Sequence, residues 1–199
     1  MSDQPPIADA VDTEGGKIAP GAISRDRLIT VELSDAHKTE QFVCSKSPRV
    51  AGFFAKEAKF LIPRFCRAFV ALDPNNEGRI WGYYTLSSNS IRKENLSGSD
   101  ERRVAKNALG YAPPMALIGF MGKDDTAPPD FGGVLLIDAA RRASRQDIAN
   151  WGIILEPERG KENQKLWAWY ARQGFKECRK IEGMMYAPLS AFMPELQGF

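Results

Sequence analysis

Histidine is almost missing from this sequence: His37 is the only one in 199 residues. A Ser-His-Asp or Cys-His mechanism would have to run through that one residue, near the beginning of the chain and with no nucleophile elbow beside it, so nucleophilic hydrolysis fits poorly. Cysteine is nearly as sparse. Cys44, Cys66 and Cys178 are dispersed, with no CxxC pair, which argues against zinc or any other metal site and reads as free thiols in a reducing compartment. There is no apolar run of membrane-spanning length and no basic-then-apolar opening, so the expectation is a cytoplasmic protein with no membrane partner. An excess of one charge is missing too. Lys and Arg total 27 against 25 Asp and Glu, a formal charge of +2, so only local clustering could speak for nucleic acid.

What is present is an ordinary globular composition, 43% hydrophobic and 26% charged, enough for one substantial domain. Residues 1–22 hold several Pro and Gly and few large apolar side chains; they are expected to form a flexible arm. The domain is expected over 23–190, with 191–199 as a short tail. Residues 27–33 suit a first strand. Two helical pieces follow over 37–61, split at Ser47-Pro48, because proline disfavours helix just before it and fits a helix start. Val50, Phe53, Phe54, Ala58 and Leu61 form the apolar stripe of the second piece.

Residues 66–72 and 79–87 read as a hairpin around the turn at 73–78. The stretch 92–112 is polar with nearly cancelling charges, a solvated excursion or a rim for an RNA backbone. MALIGFM at 115–121 is a central buried strand. The loop Pro128-Pro129-Asp130-Phe131-Gly132-Gly133 then opens a helix running to about Asn150, with Leu135, Leu136, Ala139 and Ala143 on its apolar face. Residues 151–155 are a buried strand ending at a loop with Pro157 and Gly160. Residues 162–172 are a helix with Leu166, Trp169 and Tyr170 on one face and Gly174 as its C′ glycine. Two short strands over 177–181 and 183–188 turn at Glu182-Gly183. The trio on the last helix has two readings, a core face or a site.

Four stretches carry a resemblance: Trp169-Tyr170-Ala171-Arg172-Gln173-Gly174-Phe175, Gly82-Tyr83-Tyr84-Thr85-Leu86-Ser87, the Leu135-Leu136-x-Asp138-Ala139-x-x-Arg142 run, and the ending Met184 to Leu189. Together, and in this order, they resemble the GNAT superfamily of N-acetyltransferases, in particular the GNAT toxins of type II toxin–antitoxin pairs. The resemblance implies the α/β (α+β) GNAT fold, a mixed and mostly antiparallel sheet with helices on both faces. It implies acetyl-CoA as co-substrate and direct transfer of its acetyl group to a primary amine, with no metal; the likeness to the toxins in particular implies the amine of an aminoacyl-tRNA. Tyr170 would protonate the leaving thiolate. Amides of Phe120, Met121 and Gly122 would hold the pantetheine arm, and Asp130, Phe131, Gly132, Gly133 and Val134 would meet the pyrophosphate at a helix N-terminus. Arg92, Lys93, Arg142, Arg145 and Arg159 are the RNA-contact candidates; a separate antitoxin chain and a homodimer are the implied protein partners.

One stretch departs from the family's pattern. Pro128 and Pro129 have no N–H to offer, and Asp130 puts a negative charge where pyrophosphate would lie, or caps the helix and competes for the same amides. The alternative reading is therefore a GNAT-fold binding or regulatory protein that has lost acyl-CoA binding and catalysis.

Overall fold

A computed structural model describes residues 30–58, 65–76, 78–107 and 111–196. The expected arm of 1–22 lies outside them, as do residues 27–29 of the expected first strand and Leu61 of the helical stripe. The strands are β1 (Thr30–Glu32), β2 (Arg67–Leu72), β3 (Ile80–Ser90), β4 (Pro114–Lys123), β5 (Gly152–Leu155), β6 (Lys176–Glu177) and β7 (Met185–Pro188). The helices are α1 (Pro48–Lys56), α2 (Gly98–Asn107), α3 (Phe131–Ser144), α4 (Gln164–Arg172) and a final turn, α5 (Met193–Leu196). The seven strands form one sheet in the order β1-β2-β3-β4-β5-β7-β6. Every pairing is antiparallel except that of β4 with β5.

Strand alternation sorts the core into two sides. Phe69 and Ala71 of β2, Tyr84 and Leu86 of β3 and Ile153 and Leu155 of β5 face the layer made by α3 and α4. Their neighbours Ala68, Val70 and Tyr83 face α1. Further along that second face, Met115, Ile154 and Tyr186 pack with Val104 of α2. Helices therefore cover both faces of a mixed sheet, as expected.

Local chemistry explains where α1 begins. The Ser47 hydroxyl accepts the Val50 N–H at 3.2 Å, and Pro48 occupies the first helical position, where its missing N–H costs nothing. The helical piece expected before Pro48 is absent. Only a 3-10 turn at Thr39–Gln41 forms there, because two carboxylates from across the molecule take the next amides. Asp124 accepts the Val43 N–H at 2.8 Å and Asp125 accepts the Ser45 N–H at 3.2 Å. Conversely, α2 lies inside the polar stretch expected to be a solvated excursion. Its one large buried apolar side chain is Val104. What anchors it is Asp100, whose carboxylate accepts Lys176 Nζ at 2.7 Å, the Tyr186 hydroxyl at 2.8 Å and the Ser97 hydroxyl at 3.0 Å.

Two boundaries also differ. Helix α3 stops at Ser144 rather than near Asn150, whose side-chain amide instead donates to the Ala143 carbonyl at 3.1 Å. Strand β6 is only two residues long; beyond it the chain turns back through Gly183 at φ 77°, a conformation suited to glycine.

Candidate active site

The parallel pair β4 and β5 is in register only from Met115 opposite Gly152 to Ile118 opposite Leu155. Strand β4 continues to Lys123 without that neighbour, and the gap opens a crevice at the carboxyl ends of the two strands, a general place for ligands in sheets of this kind. The cavity is about 1000 Å³. Its walls are the free half of β4, the chain after Leu155, the first turn of α3, one face of α4, and the start of α1 with Lys46 and Arg49.

A bulge re-aims β4 where the two strands part. Tyr84 pairs with Met121 but Leu86 pairs with Ile118, so Thr85 faces both Gly119 and Phe120. The Thr85 hydroxyl accepts the Phe120 N–H at 2.9 Å and closes the bulge. This amide was expected to hold pantetheine and is instead bonded inside the sheet. The Asp124 N–H donates to the Trp81 carbonyl at 2.8 Å. By the alternation of an antiparallel ladder, the Gly122 amide also faces β3, opposite Tyr83, while the Met121 amide faces away from β3. Of the three expected amides, Met121 is the one turned toward the crevice.

Tyr170 lies in the last turn of α4 and lines the crevice. Its ring is wedged edge-on against Trp169 at 4.8 Å and Phe175 at 5.4 Å, and the residue is only 6% exposed. Among the described residues the Tyr170 hydroxyl has no hydrogen-bond partner, yet no fully buried side-chain N or O lacks one. The hydroxyl therefore keeps some access to solvent, and the residue lines the crevice. Burial pushes its pKa well above the ordinary tyrosine value, so it stays protonated at neutral pH. The trio packs against the core as a core face would, and Leu166, Trp169 and Tyr170 also line the crevice.

The first turn of α3 is a poor anion cradle. The Phe131 N–H is bonded to the Pro128 carbonyl at 3.1 Å and the Gly133 N–H to the Asp130 carbonyl at 3.0 Å. The Asp130 and Gly132 amides have no such partner among the described residues. Asp130 occupies the N-cap position, but its side chain caps no amide and is exposed. The side chains of Phe131 and Val134 are buried in the core, so only their backbone could meet a ligand.

The five RNA-contact candidates do not form one surface. Arg159 is on the crevice rim, in a left-handed conformation at φ 63° that is uncommon outside glycine. Arg92 and Lys93 line a separate depression with Lys180. Arg145 is exposed at the far end of α3. Arg142 is a correction. Its guanidinium donates to the Thr30 carbonyl and hydroxyl, lies 3.5 Å from Asp138 Oδ2 and sits over the Phe69 ring; it ties α3 to β1 and is not offered to a partner.

Residues not anticipated also matter. Lys46 and Arg49 reach the crevice from the start of α1 because the Asp124 and Asp125 clamps hold residues 43–45 in place. Their basic side chains near a helix start read as ordinary solvated surface. The segment from Gly82 to Thr85 proves to be a set of attachments. Gly82 leaves room for Leu135, the Tyr83 hydroxyl donates to the Val50 carbonyl at 2.8 Å, and the Tyr84 hydroxyl donates to Asp138 at 2.5 Å. Thr85 holds the bulge. Among the described residues no group of His, Cys, Asp and Glu is arranged to hold a metal, and no helix is long and apolar enough to cross a membrane.

Known proteins were compared by sequence and by structure. No family model and no curated protein matches the sequence. Among solved structures, the chain is similar to KacT, in the crystal structure of a tyrosine-to-phenylalanine mutant: 18% identity, TM-score 0.69, 84% of this chain and 98% of that one. It is similar to AtaT complexed with acetyl-methionyl-tRNAfMet, at 18% identity and TM-score 0.68 over 84% of this chain and 98% of that one. It is also similar to AtaTR bound with AcCoA, at 18% identity and TM-score 0.63 over 85% and 98%. At this identity the likeness establishes the fold, and the fold is GNAT, shared with these toxins.

Proposed function

From a GNAT fold shared with the toxins KacT and AtaT, we propose that this protein is an N-acetyltransferase that moves an acetyl group from acetyl-CoA to a primary amine. The observation that carries the reading is the crevice made where β4 and β5 part, with Tyr170 in the last turn of α4 among its lining residues. Acetyl-CoA supplies an activated acyl group as a thioester. The crevice suits its pantetheine arm, because an extended chain can lie along the free edge of β4, where the Met121 amide is available. The first turn of α3 does not suit its diphosphate equally well.

The chemistry asks little of side chains. A free α-amino group has a pKa of about 7.7–8.0, so a good fraction is already nucleophilic near neutrality and no strong base is required. The amine nitrogen bonds to the carbonyl carbon, the carbon–sulfur bond breaks, and the proton on the Tyr170 oxygen passes to the departing sulfur. The proton shed by the amine returns through solvent to the tyrosine. A positioned acid of this kind is worth about 10²–10⁴-fold in rate.

For the acceptor we infer an aminoacyl-tRNA amine. AtaT was captured with acetyl-methionyl-tRNAfMet, and here Lys46, Arg49 and Arg159 line the crevice, where they would favour an acceptor that carries phosphates. An antitoxin partner is part of the same reading, since AtaT has also been seen bound to the C-terminus of the antitoxin AtaR. The test is to incubate the protein with acetyl-CoA and a set of charged tRNAs and to look by mass spectrometry for acetylated aminoacyl ends. Acetylation of one or more supports the reading. Acetylation of small amines alone would remove the RNA acceptor, and none at all would remove the transferase. In that last case the remaining reading is a binding module, favoured by the bonded Phe131 and Gly133 amides.

A further inference from the structure

The departure at the start of α3 bears on which part of the donor the protein reads. At a helix N-terminus an anion is held by free N–H groups of the first turn. Here two residues of the approach are prolines and contribute none. The Phe131 and Gly133 amides are already bonded to the Pro128 and Asp130 carbonyls. The Asp130 and Gly132 amides have no such partner among the described residues, and the exposed Asp130 carboxylate lies beside them without a capping bond. Side chains do little to compensate. Lys123 Nζ is engaged by the Ala127 carbonyl at 3.1 Å. The other basic side chains lining the crevice, Lys46, Arg49, Arg159, Lys165 and Arg172, are all exposed, where a charge acts through screening solvent and steers phosphates in general rather than gripping one. The thioester end is better served: the bulge, the free edge of β4 and Tyr170 all lie along the crevice.

We propose, on the basis of the acyltransferase reading, that this protein recognises its donor through the pantetheine arm and gains little from the nucleotide end, so that thioesters of pantetheine serve it nearly as well as those of CoA. A charge-assisted hydrogen bond is worth about tenfold to a hundredfold in affinity. A cradle that made several would prefer acetyl-CoA to acetyl-pantetheine by several orders of magnitude. Here the preference is expected to stay within about tenfold.

The experiment is a side-by-side titration of the full chain with acetyl-CoA and acetyl-pantetheine, followed by thiol release from each with an amine acceptor. Comparable binding and turnover support the proposal. A preference for acetyl-CoA above about a hundredfold overturns it while leaving the acyltransferase reading intact. Binding and turnover of neither thioester overturns both. Asp130→Asn provides a second measurement: loss of the carboxylate should raise the acetyl-CoA to acetyl-pantetheine affinity ratio severalfold, because only one of the two donors brings a diphosphate to that turn. An equal response of both donors contradicts the proposal.

Discussion

At the scale of single residues, the proposed proton donor is Tyr170. Packing against Trp169 and Phe175 fixes its ring, and burial raises its pKa. The sign of that shift fixes the pH dependence. With a primary α-amine as acceptor, the rate should rise with pH and level off above about pH 8, as the amine loses its proton. No falling limb from Tyr170 is expected up to about pH 10, where an ordinary tyrosine would already be half ionised. A fall centred near pH 8 in stopped-flow or steady-state profiles of a stable enzyme would contradict this assignment. Arg142 gives the opposite case, a basic residue whose partners are internal. Arg142→Ala removes its bonds to Thr30 and its contact with Asp138, and should cost about 1–3 kcal/mol of stability in urea unfolding. Affinity for tRNA should stay the same; a weaker complex with unchanged stability would restore Arg142 as an RNA contact.

At the scale of elements, the site depends on how α1 and the loop after β4 are seated. A Cβ on Gly122 would lie 2.5 Å from Val50 Cγ1, so this glycine is what lets α1 lie close on β4. Gly122→Ala should push α1 away and cost about 1–3 kcal/mol, as overpacking does, lowering Tm by several degrees; an unchanged Tm would show that α1 adjusts freely. Asp124 fastens the same region. Burial alone would raise its carboxyl, but bonds from Thr126, the Val43 amide and Arg79 outweigh burial and hold it below the usual carboxylate range. Its contribution to stability is therefore present above the unfolded value of about 3.9 and is lost as pH falls through the lower folded value. Asp124→Asn should be less stable than wild type at pH 7 and show a shallower loss on acidification below about pH 4. Equal slopes for the two proteins would remove Asp124 from the acid transition.

These elements also show what could be read without a structure. The strands β2 to β5 and helices α3 and α4 were legible because each has a dense apolar pattern, and Pro157 and Gly174 mark where β5 and α4 give out. The hairpin of β2 and β3 announced itself through its Asp-Pro-Asn-Asn turn. Helix α2 was not legible, since its anchor is Asp100 bonded to Lys176 and Tyr186, partners 76 and 86 residues away. The same applies before Pro48, where two distant aspartates override local helix preference. At the site, the place of Tyr170 near the end of the last long helix was foreseeable from its motif. Which amide faces the crevice was not, because that depends on the phase of the β3–β4 ladder. Thr85 gave no signal, since threonine suits any strand.

At the scale of the whole molecule, the sheet supplies an open seam and the helices supply its two sides. One side, α3 and α4, presents the loop with few free amides and Tyr170. The other, α1, presents Lys46 and Arg49. Among the described residues the crevice gathers Lys46, Arg49, Lys123, Arg159, Lys165 and Arg172 against Asp130, Glu156 and Glu158, a local excess of positive charge in a chain whose formal charge is only +2.

The most direct measurement is to compare wild type with Tyr170→Phe, titrating acetyl-CoA by calorimetry and following acetylation of an amine acceptor with the same preparations. The phenyl ring keeps the packing against Trp169 and Phe175 and removes only the hydroxyl. The account predicts unchanged donor affinity and a turnover lower by about 10²–10⁴-fold. Full turnover in Tyr170→Phe would contradict it, since the proton for the leaving sulfur would then come from elsewhere.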